Sequence, residues 1–331
     1  MPIDPSMLEA FWTSTTMRGE SLMFLEAPDG RAAASLLFPP TRGLSLTSAT
    51  GQETFEEGRD YAVNLAAGNV RRLQGSRVPV TTRAELSRLA AAEDDGFHRR
   101  QVAATYEHAA GLWTGQVPAG AGAQLARTSE RLRTSEPLTI CLTGDSISEG
   151  YNASGFMGAP PFQPAYGELV AAALERATGA PITFHNLAAA GWTADHGLAD
   201  VERVARTDPD LVIVAYGMND AGYADAADFA ANIDALMKEI RSSRPQAEFV
   251  LVSPMIPSRA CEFVVMARFP AYRDALARLC GQGAALADMT TLWTDLLARK
   301  SDFDLTGNGL NHPNDFGHRL YAQMILALLT G

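Results

Sequence analysis

The segment Leu138-Thr-Ile-Cys-Leu-Thr-Gly-Asp-Ser146 is a short apolar run that stops abruptly at Gly-Asp-Ser. A continuous apolar run of this length is typical of a strand that is buried on both faces of a sheet. The glycine and the two small polar residues that follow predict a tight turn into a helix. We therefore expect a parallel sheet in which one strand ends immediately before Ser146.

The same alternation continues to the end of the chain. Four further apolar runs predict strands at 182–187, 211–215, 249–253 and 284–288. Between and after them, helices are predicted at 164–176, 193–206, 225–242, 270–280 and from about 315. Five alternations of strand and helix predict an α/β fold, with a five-stranded parallel sheet covered by helices on both faces.

The first part of the chain has a different pattern. Short strand-like runs, separated by Pro, Gly and Asp, occupy 21–26, 33–38, 44–47 and 59–65. Strands at this spacing predict a small antiparallel β-sandwich. Residues 84–114 are predicted to be partly helical, and the Gly-, Ala- and Arg-rich stretch after them predicts a linker. The expected domains are an N-terminal sandwich over 1–118, a linker over 119–136 and a catalytic domain over 137–331.

Composition excludes several classes of protein. The chain has 331 residues, 47% of them hydrophobic, and a net charge of −11. This acidic balance argues against nucleic acid or an anionic membrane surface as a partner. Three cysteines do not make a disulfide framework, and the N-terminus lacks the pattern of a signal peptide, so a cytoplasmic location is expected. The sequence makes no prediction of the oligomeric state.

Polar blocks follow the predicted strands. In parallel sheets the functional site lies beyond the carboxyl ends of the strands, so these blocks are expected to converge. They are Gly144-Asp-Ser146, Asn186-Leu-Ala-Ala-Ala-Gly191, Tyr216-Gly-Met-Asn219-Asp220 and, about twenty residues after the fifth strand, Asn308-Gly-Leu-Asn-His312-Pro313.

The residue types in these blocks suit acyl transfer. A serine at a strand-to-helix turn projects its hydroxyl and presents its own backbone N–H, as Ser146 is expected to do. The Asn219 amide and the Gly191 N–H are candidate donors to a developing oxyanion. His312 precedes a proline, which keeps it extended, so that its imidazole is a candidate general base.

This set resembles the SGNH (GDSL-type) hydrolases, which are named for Ser, Gly, Asn and His in four blocks; the resemblance covers roughly residues 137–331. It implies a flavodoxin-like three-layer α/β/α sandwich and ester hydrolysis through an acyl-serine, with no metal and no cofactor. It assigns catalysis to Ser146 and His312, and the oxyanion hole to Ser146, Gly191 and Asn219. The predicted N-terminal sandwich is similar in architecture to two-domain carbohydrate esterases of this superfamily.

One position departs from the family pattern. The family usually carries an aspartate three residues before the histidine, and here that residue is Gly309. Candidates for orienting the His312 imidazole are Asn308, Asp304 and Asp302, or a backbone carbonyl. We expect a site resembling a Ser–His dyad, in which no single carboxylate is essential.

Three functions remain open on the sequence. The preferred one is a serine esterase acting on short acyl esters, acetyl esters foremost, of a carbohydrate-like alcohol; its partner is then a small-molecule ester. A lipase or thioesterase for longer acyl chains is the first alternative, and a non-catalytic carbohydrate-binding or scaffold protein is the second. His312, Asp315 and His318 follow one another at three-residue steps, as metal ligands on a helix do, but Pro313 keeps His312 off the helix, so no metal site is predicted.

Overall fold

The computed structural model describes residues 4–91 and 94–331. The strands of this described part are β1 Thr16–Met23, β2 Leu25–Glu26, β3 Ala32–Ser35, β4 Pro40–Ser48, β5 Thr54–Phe55, β6 Tyr61–Asn64, β7 Asn69–Arg72, β8 Gln101–His108, β9 Leu138–Gly144, β10 Ile182–Asn186, β11 Leu211–Ala215, β12 Glu248–Val252 and β13 Ala284–Ala287. Its α-helices are α1 Arg83–Ala91, α2 Ala126–Arg133, α3 Ser146–Glu149, α4 Tyr166–Thr178, α5 Ala194–Ala199, α6 Val201–Arg206, α7 Ala226–Ser243, α8 Arg268–Leu279, α9 Met289–Leu297, α10 Asp302–Leu305 and α11 Asp315–Thr330. None of these helices has the length and apolar character that a bilayer crossing requires.

The chain folds into two compact units, and neither is continuous in sequence. The first unit comprises the described residues of Met1–Gly115 together with Asn152–Pro164 and Asp295–Leu320. The second unit comprises Gln116–Tyr151, Ala165–Thr294 and Tyr321–Gly331. The domain limits at 118/119 and 136/137 stay a prediction. The stretch between them, expected to be a linker, contains helix α2.

The second unit contains the parallel sheet expected from the sequence. Its five strands lie in the order β10-β9-β11-β12-β13, and every neighbouring pair is parallel. Strands β11 and β12 are buried at every position, which explains why they are uninterrupted apolar runs. The predicted α/β fold with a five-stranded parallel sheet is therefore confirmed.

Helix α7 shows how the helices of the second unit cover this sheet. Its apolar stripe, predicted from the spacing, is buried at Phe229, Ile233, Leu236, Met237 and Ile240. Asp225 caps its first turn by accepting the backbone N–H groups of residues 227 and 228. The sequence analysis missed helix α9, which follows β13 directly.

The first unit contains two four-stranded antiparallel sheets, in the orders β1-β8-β4-β5 and β2-β3-β7-β6. The predicted antiparallel N-terminal part is therefore confirmed. Strand β8 lies within 84–114, where the pattern had predicted partly helical structure; among the described residues of this range, the α-helix is α1, Arg83–Ala91. Strand β8 pairs with β1 on one side and β4 on the other, and this pairing outweighs the weak local preference of the segment.

A buried ion pair attaches residues 295–320 to these N-terminal sheets. Lys300 Nζ lies 2.6 Å from Glu20 Oε1, and both side chains are completely buried. The ammonium also donates to the backbone carbonyl of Ser35 at 2.8 Å, and the hydroxyl of Tyr106 donates to the second oxygen of Glu20. Because two charges removed from water are tolerated only when paired and hydrogen-bonded, the sheets and this segment depend on each other.

This pair generates a stability prediction. Lys300→Met leaves the Glu20 carboxylate buried without its partner, so we expect the free energy of unfolding to fall by about 3–5 kcal/mol. The double variant Glu20→Gln/Lys300→Met should lose less than the sum of the two single variants. Urea denaturation measures both effects. Lys238→Met is the matched control, because Lys238 pairs with Asp234 on the surface at the same 2.6 Å distance and should matter little. Equal stability of the two lysine variants would contradict the prediction.

Candidate functional site

Ser146 stands where the sequence analysis placed it, at the turn between β9 and α3. Asp145 caps this short helix, and its Oδ1 accepts the backbone N–H of Ile147 at 3.0 Å. Gly144 is required here because a Cβ would lie 2.6 Å from the carbonyl oxygen of Ala215 on the neighbouring strand. The close approach of two strands therefore accounts for the glycine of the Gly-Asp-Ser motif.

Gly191 lies in the loop that follows β10. It has a φ of +77°, a conformation that favours glycine, and a Cβ there would meet open space. The loop is tied to the preceding turn by two hydrogen bonds: Ala189 N–H donates to the Gly144 carbonyl at 3.1 Å, and Ala190 N–H donates to Glu149 Oε2 at 2.6 Å. The backbone around Gly191 is thus held beside the turn that carries Ser146.

Asn219 follows β11, the other neighbour of β9. Its Nδ2 donates to the carbonyl oxygen of Trp192 at 2.9 Å, which joins this loop to the loop of Gly191. An amide nitrogen carries two hydrogens, so one remains for a ligand. The structure therefore brings the loops of Ser146, Gly191 and Asn219 together at the carboxyl edge of three adjacent strands.

Two buried carboxyl groups accompany this edge. Burial, together with the neighbouring charge of Asp220, raises the pKa of Asp145 to about 7, although backbone N–H groups act to lower it. Burial likewise raises the pKa of Asp220 to about 6, although its Oδ1 accepts the N–H of Ala194 at 2.9 Å. Partial protonation near neutral pH limits the negative charge beside Ser146, which suits a place where an oxyanion would develop.

His312 lies in the first unit, between α10 and α11. Its backbone carbonyl accepts the N–H of Gly307 at 2.9 Å, and Pro313 pairs with Thr306 in an isolated bridge, so the loop is closed at its base. The ring is half-buried, and burial lowers its pKa to about 4. The imidazole is therefore neutral at physiological pH, as a general base must be.

The residue beside His312 Nδ1 is Asn308, whose Nδ2 lies 3.2 Å from it. Asn308 Oδ1 accepts the backbone N–H groups of Leu310, Asn311 and His312 at 2.9, 3.1 and 3.2 Å, which fixes the orientation of the amide. Asn308 therefore places an amide nitrogen, held by the backbone of its own loop, beside Nδ1 of the ring.

The other candidates for orienting His312 are placed differently. Asp304 Oδ1 accepts the N–H of Met23 at 2.8 Å, and its Oδ2 accepts both the N–H and the hydroxyl of Ser301 at 3.0 Å. Lys300 lies 3.6 Å from the same carboxylate. Asp302 begins helix α10. The structure thus brings Asn308 to the imidazole and engages Asp304 with the N-terminal sheets.

The predicted site residues are divided between the two units: Ser146, Gly191 and Asn219 belong to the second, and His312 and Asn308 to the first.

The sequence analysis missed the raised pKa values of the Asp carboxyls in the Gly-Asp-Ser and Gly-Met-Asn-Asp blocks, because burial is not visible in a local pattern. In residues 4–91 and 94–331, no three His, Cys, Asp or Glu side chains are grouped as a metal site requires.

Comparison with solved structures relates the fold to known esterases. A two-domain esterase active on acetylated mannans is 22% identical with a TM-score of 0.50, and the match covers 65% of this chain. This match takes in only 54% of that esterase's length. A mutant of Axe2, an acetyl-xylooligosaccharide esterase from Geobacillus Stearmophilus, is 18% identical with a TM-score of 0.50; the match covers 59% of this chain and 95% of that one. At these identities the likeness concerns the fold.

The sequence comparisons are more specific. A search of curated proteins found no match. The profile of the GDSL-like lipase/acylhydrolase family matches residues 142–320, which is more than half of the chain. The matched region contains all four blocks, with Ser146, Gly191, Asn219 and His312, and its parallel sheet has the topology described above. The chain therefore belongs to the GDSL-like lipase/acylhydrolase family.

Proposed function

We propose that this protein is a serine esterase that hydrolyses short-chain acyl esters, acetyl esters foremost, through an acyl-serine intermediate. The observation that carries the proposal is the convergence of the Ser146, Gly191 and Asn219 loops at one edge of the sheet. A nucleophile at a tight turn beside two amide donors is the arrangement that acyl transfer needs. Family membership supports the same chemistry.

In the proposed mechanism, Ser146 Oγ attacks the ester carbonyl while His312 takes its proton. The negative charge on the carbonyl oxygen is stabilised by the N–H groups of Ser146 and Gly191 and by the Asn219 amide. His312 then passes the proton to the departing alcohol, which leaves an acyl-serine. In the second half, His312 removes a proton from water, which attacks the acyl carbon. The bond from that carbon to Ser146 Oγ then breaks, and His312 returns the proton to Oγ as the acid leaves.

The proposed alcohol is an acylated carbohydrate. Of the two esterases of similar fold, one is described as active on acetylated mannans. The other is described as an acetyl-xylooligosaccharide esterase. Trp192 is a half-buried aromatic residue on the same loop as Gly191, and its backbone carbonyl accepts from the Asn219 amide. Serine chemistry of this kind requires no metal and no cofactor.

Ser146→Ala and His312→Ala test the catalytic pair. Each should reduce kcat on 4-nitrophenyl acetate by roughly 10³-fold or more, and the double variant should lose little beyond either single one, since the two act as a unit. A fluorophosphonate should label the wild type at Ser146, as located by mass spectrometry, and should not label Ser146→Ala. Ser148→Ala is the matched control for a buried serine on the same helix. Near-normal turnover by a folded Ser146→Ala protein would overturn the proposal.

A series of 4-nitrophenyl esters tests the acyl preference. We expect kcat/KM to be highest for acetate and to fall as the acyl chain lengthens from butyrate to decanoate, because a small pocket excludes added methylene groups. Acetylated xylo- and manno-oligosaccharides should release acetate, measured enzymatically. A maximum at octanoate or longer would instead assign the protein as a lipase or thioesterase.

The Asn308–His312 contact generates a pH prediction. Asn308→Asp places a carboxylate at Nδ1, where it favours the imidazolium and should raise the pKa of His312 by about 1–3 units. His312 then remains protonated to a higher pH. The acid limb of the pH profile, meaning the pH below which kcat/KM falls, should therefore shift from near pH 4 to a higher pH. Above that limb the rate should exceed that of the wild type, since the imidazolium formed during attack gains a partner.

Asn311→Asp is the matched control for this experiment. Asn311 Oδ1 accepts from Asn308 Nδ2 at 3.1 Å, so the variant adds the same charge to the same loop while keeping its acceptor. Its shift of the acid limb should be clearly smaller. Equal shifts in the two variants would show that general loop charge, and not the Nδ1 contact, controls His312.

A further inference from the structure

The first unit encloses a cavity that the proposed catalysis does not use. Its volume is about 170 Å³, and its walls come from β1, β4, β8 and the first turns of α11. A cavity of roughly 150 Å³ is large enough to admit a six-membered ring. The walls combine apolar side chains, among them Phe316 and Val102, with several buried polar groups.

Arg319 supplies an unused donor in this wall. Its side chain is almost completely buried, with 5% of the residue exposed. One terminal nitrogen donates to Gln163 Oε1 at 2.9 Å and the other donates to the carbonyl of Gly19. Nε is also buried and has no hydrogen-bond partner among the described residues. A buried N–H without a partner carries a desolvation cost that a bound acceptor would remove.

Two acceptors line the same cavity. The His98 ring donates through Nε2 to the carbonyl of Pro160 at 2.8 Å, because a carbonyl only accepts, and Nδ1 is the ring nitrogen left as an acceptor. The Asp315 carboxylate accepts the N–H of Ser154 at 2.8 Å and has capacity for more. Burial lowers the pKa of Arg319 to about 10, and the charge of Asp315 opposes that shift.

We infer that this cavity binds one neutral polyhydroxyl unit, such as a single sugar residue. Hydroxyl groups both accept, as Arg319 Nε requires, and donate, as Asp315 and His98 Nδ1 require. The opposite charges of Arg319 and Asp315 balance, which disfavours a ligand with net charge. The ring of Phe316 offers an apolar surface for the C–H face of a sugar. The site holds a sugar without hydrolysing it and is independent of the Ser146 chemistry.

The Nε–H resonance of Arg319 reports directly on this site. Using the full chain, we would titrate methyl β-D-mannopyranoside and methyl β-D-xylopyranoside, which carry no ester, and follow that resonance by ¹⁵N-correlated NMR. At least one glycoside should shift it in a saturable manner. Sodium acetate is the charged comparison and should shift it less at equal concentration. An unmoved resonance with both glycosides, or a stronger response to acetate, would overturn the inference.

Ala103→Leu is the decisive variant, because Ala103 lines the cavity and a larger side chain fills it without removing a polar partner. The Kd for the glycoside should increase by about tenfold or more. Hydrolysis of 4-nitrophenyl acetate should be unchanged, which checks folding. If this variant fails to fold, Ala49→Leu fills the same cavity from β4's end. An unchanged glycoside Kd in a folded, cavity-filled variant would contradict the inference, whatever the esterase assay shows.

Discussion

The buried ion pair between Lys300 and Glu20 is the interaction on which the first unit depends. Neither charge reaches water, so each requires the other, together with the Ser35 carbonyl and the Tyr106 hydroxyl. Lys300 belongs to the segment that also carries His312. That segment consequently forms part of a compact unit with the N-terminal sheets, although residues 116–151 and 165–294 of the other unit separate them along the chain.

In the second unit, the geometry of the parallel strands determines where the site residues lie. All carboxyl ends emerge at one edge, and the loops after β9, β10 and β11 meet there because their strands are neighbours. The hydrogen bond from Asn219 to the Trp192 carbonyl and that from Ala190 to Glu149 then lock the loops together. Gly144 permits the close strand approach at the centre of this arrangement. The oxyanion donors proposed above are thus positioned by strand pairing together with these hydrogen bonds between the loops.

An amide, and not a carboxylate, lies beside the imidazole that we propose as the base. Asn308 is held by three backbone N–H groups, so its Nδ2 faces His312 Nδ1. Burial keeps the ring neutral to low pH. The Asp304 carboxylate is engaged with the backbone N–H groups of Met23 and Ser301. The loop therefore combines a neutral base with a neutral neighbour.

The sequence by itself determined the parts that depend on local pattern. The apolar run at 138–143, the helical stripe beginning at Phe229 and the turn residues of the N-terminal strands predicted the sheet, helix α7 and the antiparallel strands. Burial on one or both faces imposes a period that can be recognised in a short window. The four polar blocks were equally visible, because parallel strands require functional residues to follow the strand ends.

The tertiary structure decided what depends on contacts between distant segments. Strand β8 forms because β1 and β4 flank it, in a region whose local pattern favoured helix. Segments 152–164 and 295–320 join the N-terminal sheets through buried groups such as Lys300, whose partner lies 280 positions away. The choice of Asn308 over Asp304 beside His312, and the raised pKa values of Asp145 and Asp220, follow from burial and hydrogen-bond geometry. These quantities are properties of the assembled interior, where desolvation and pairing act across the chain, so no local window of sequence contains them.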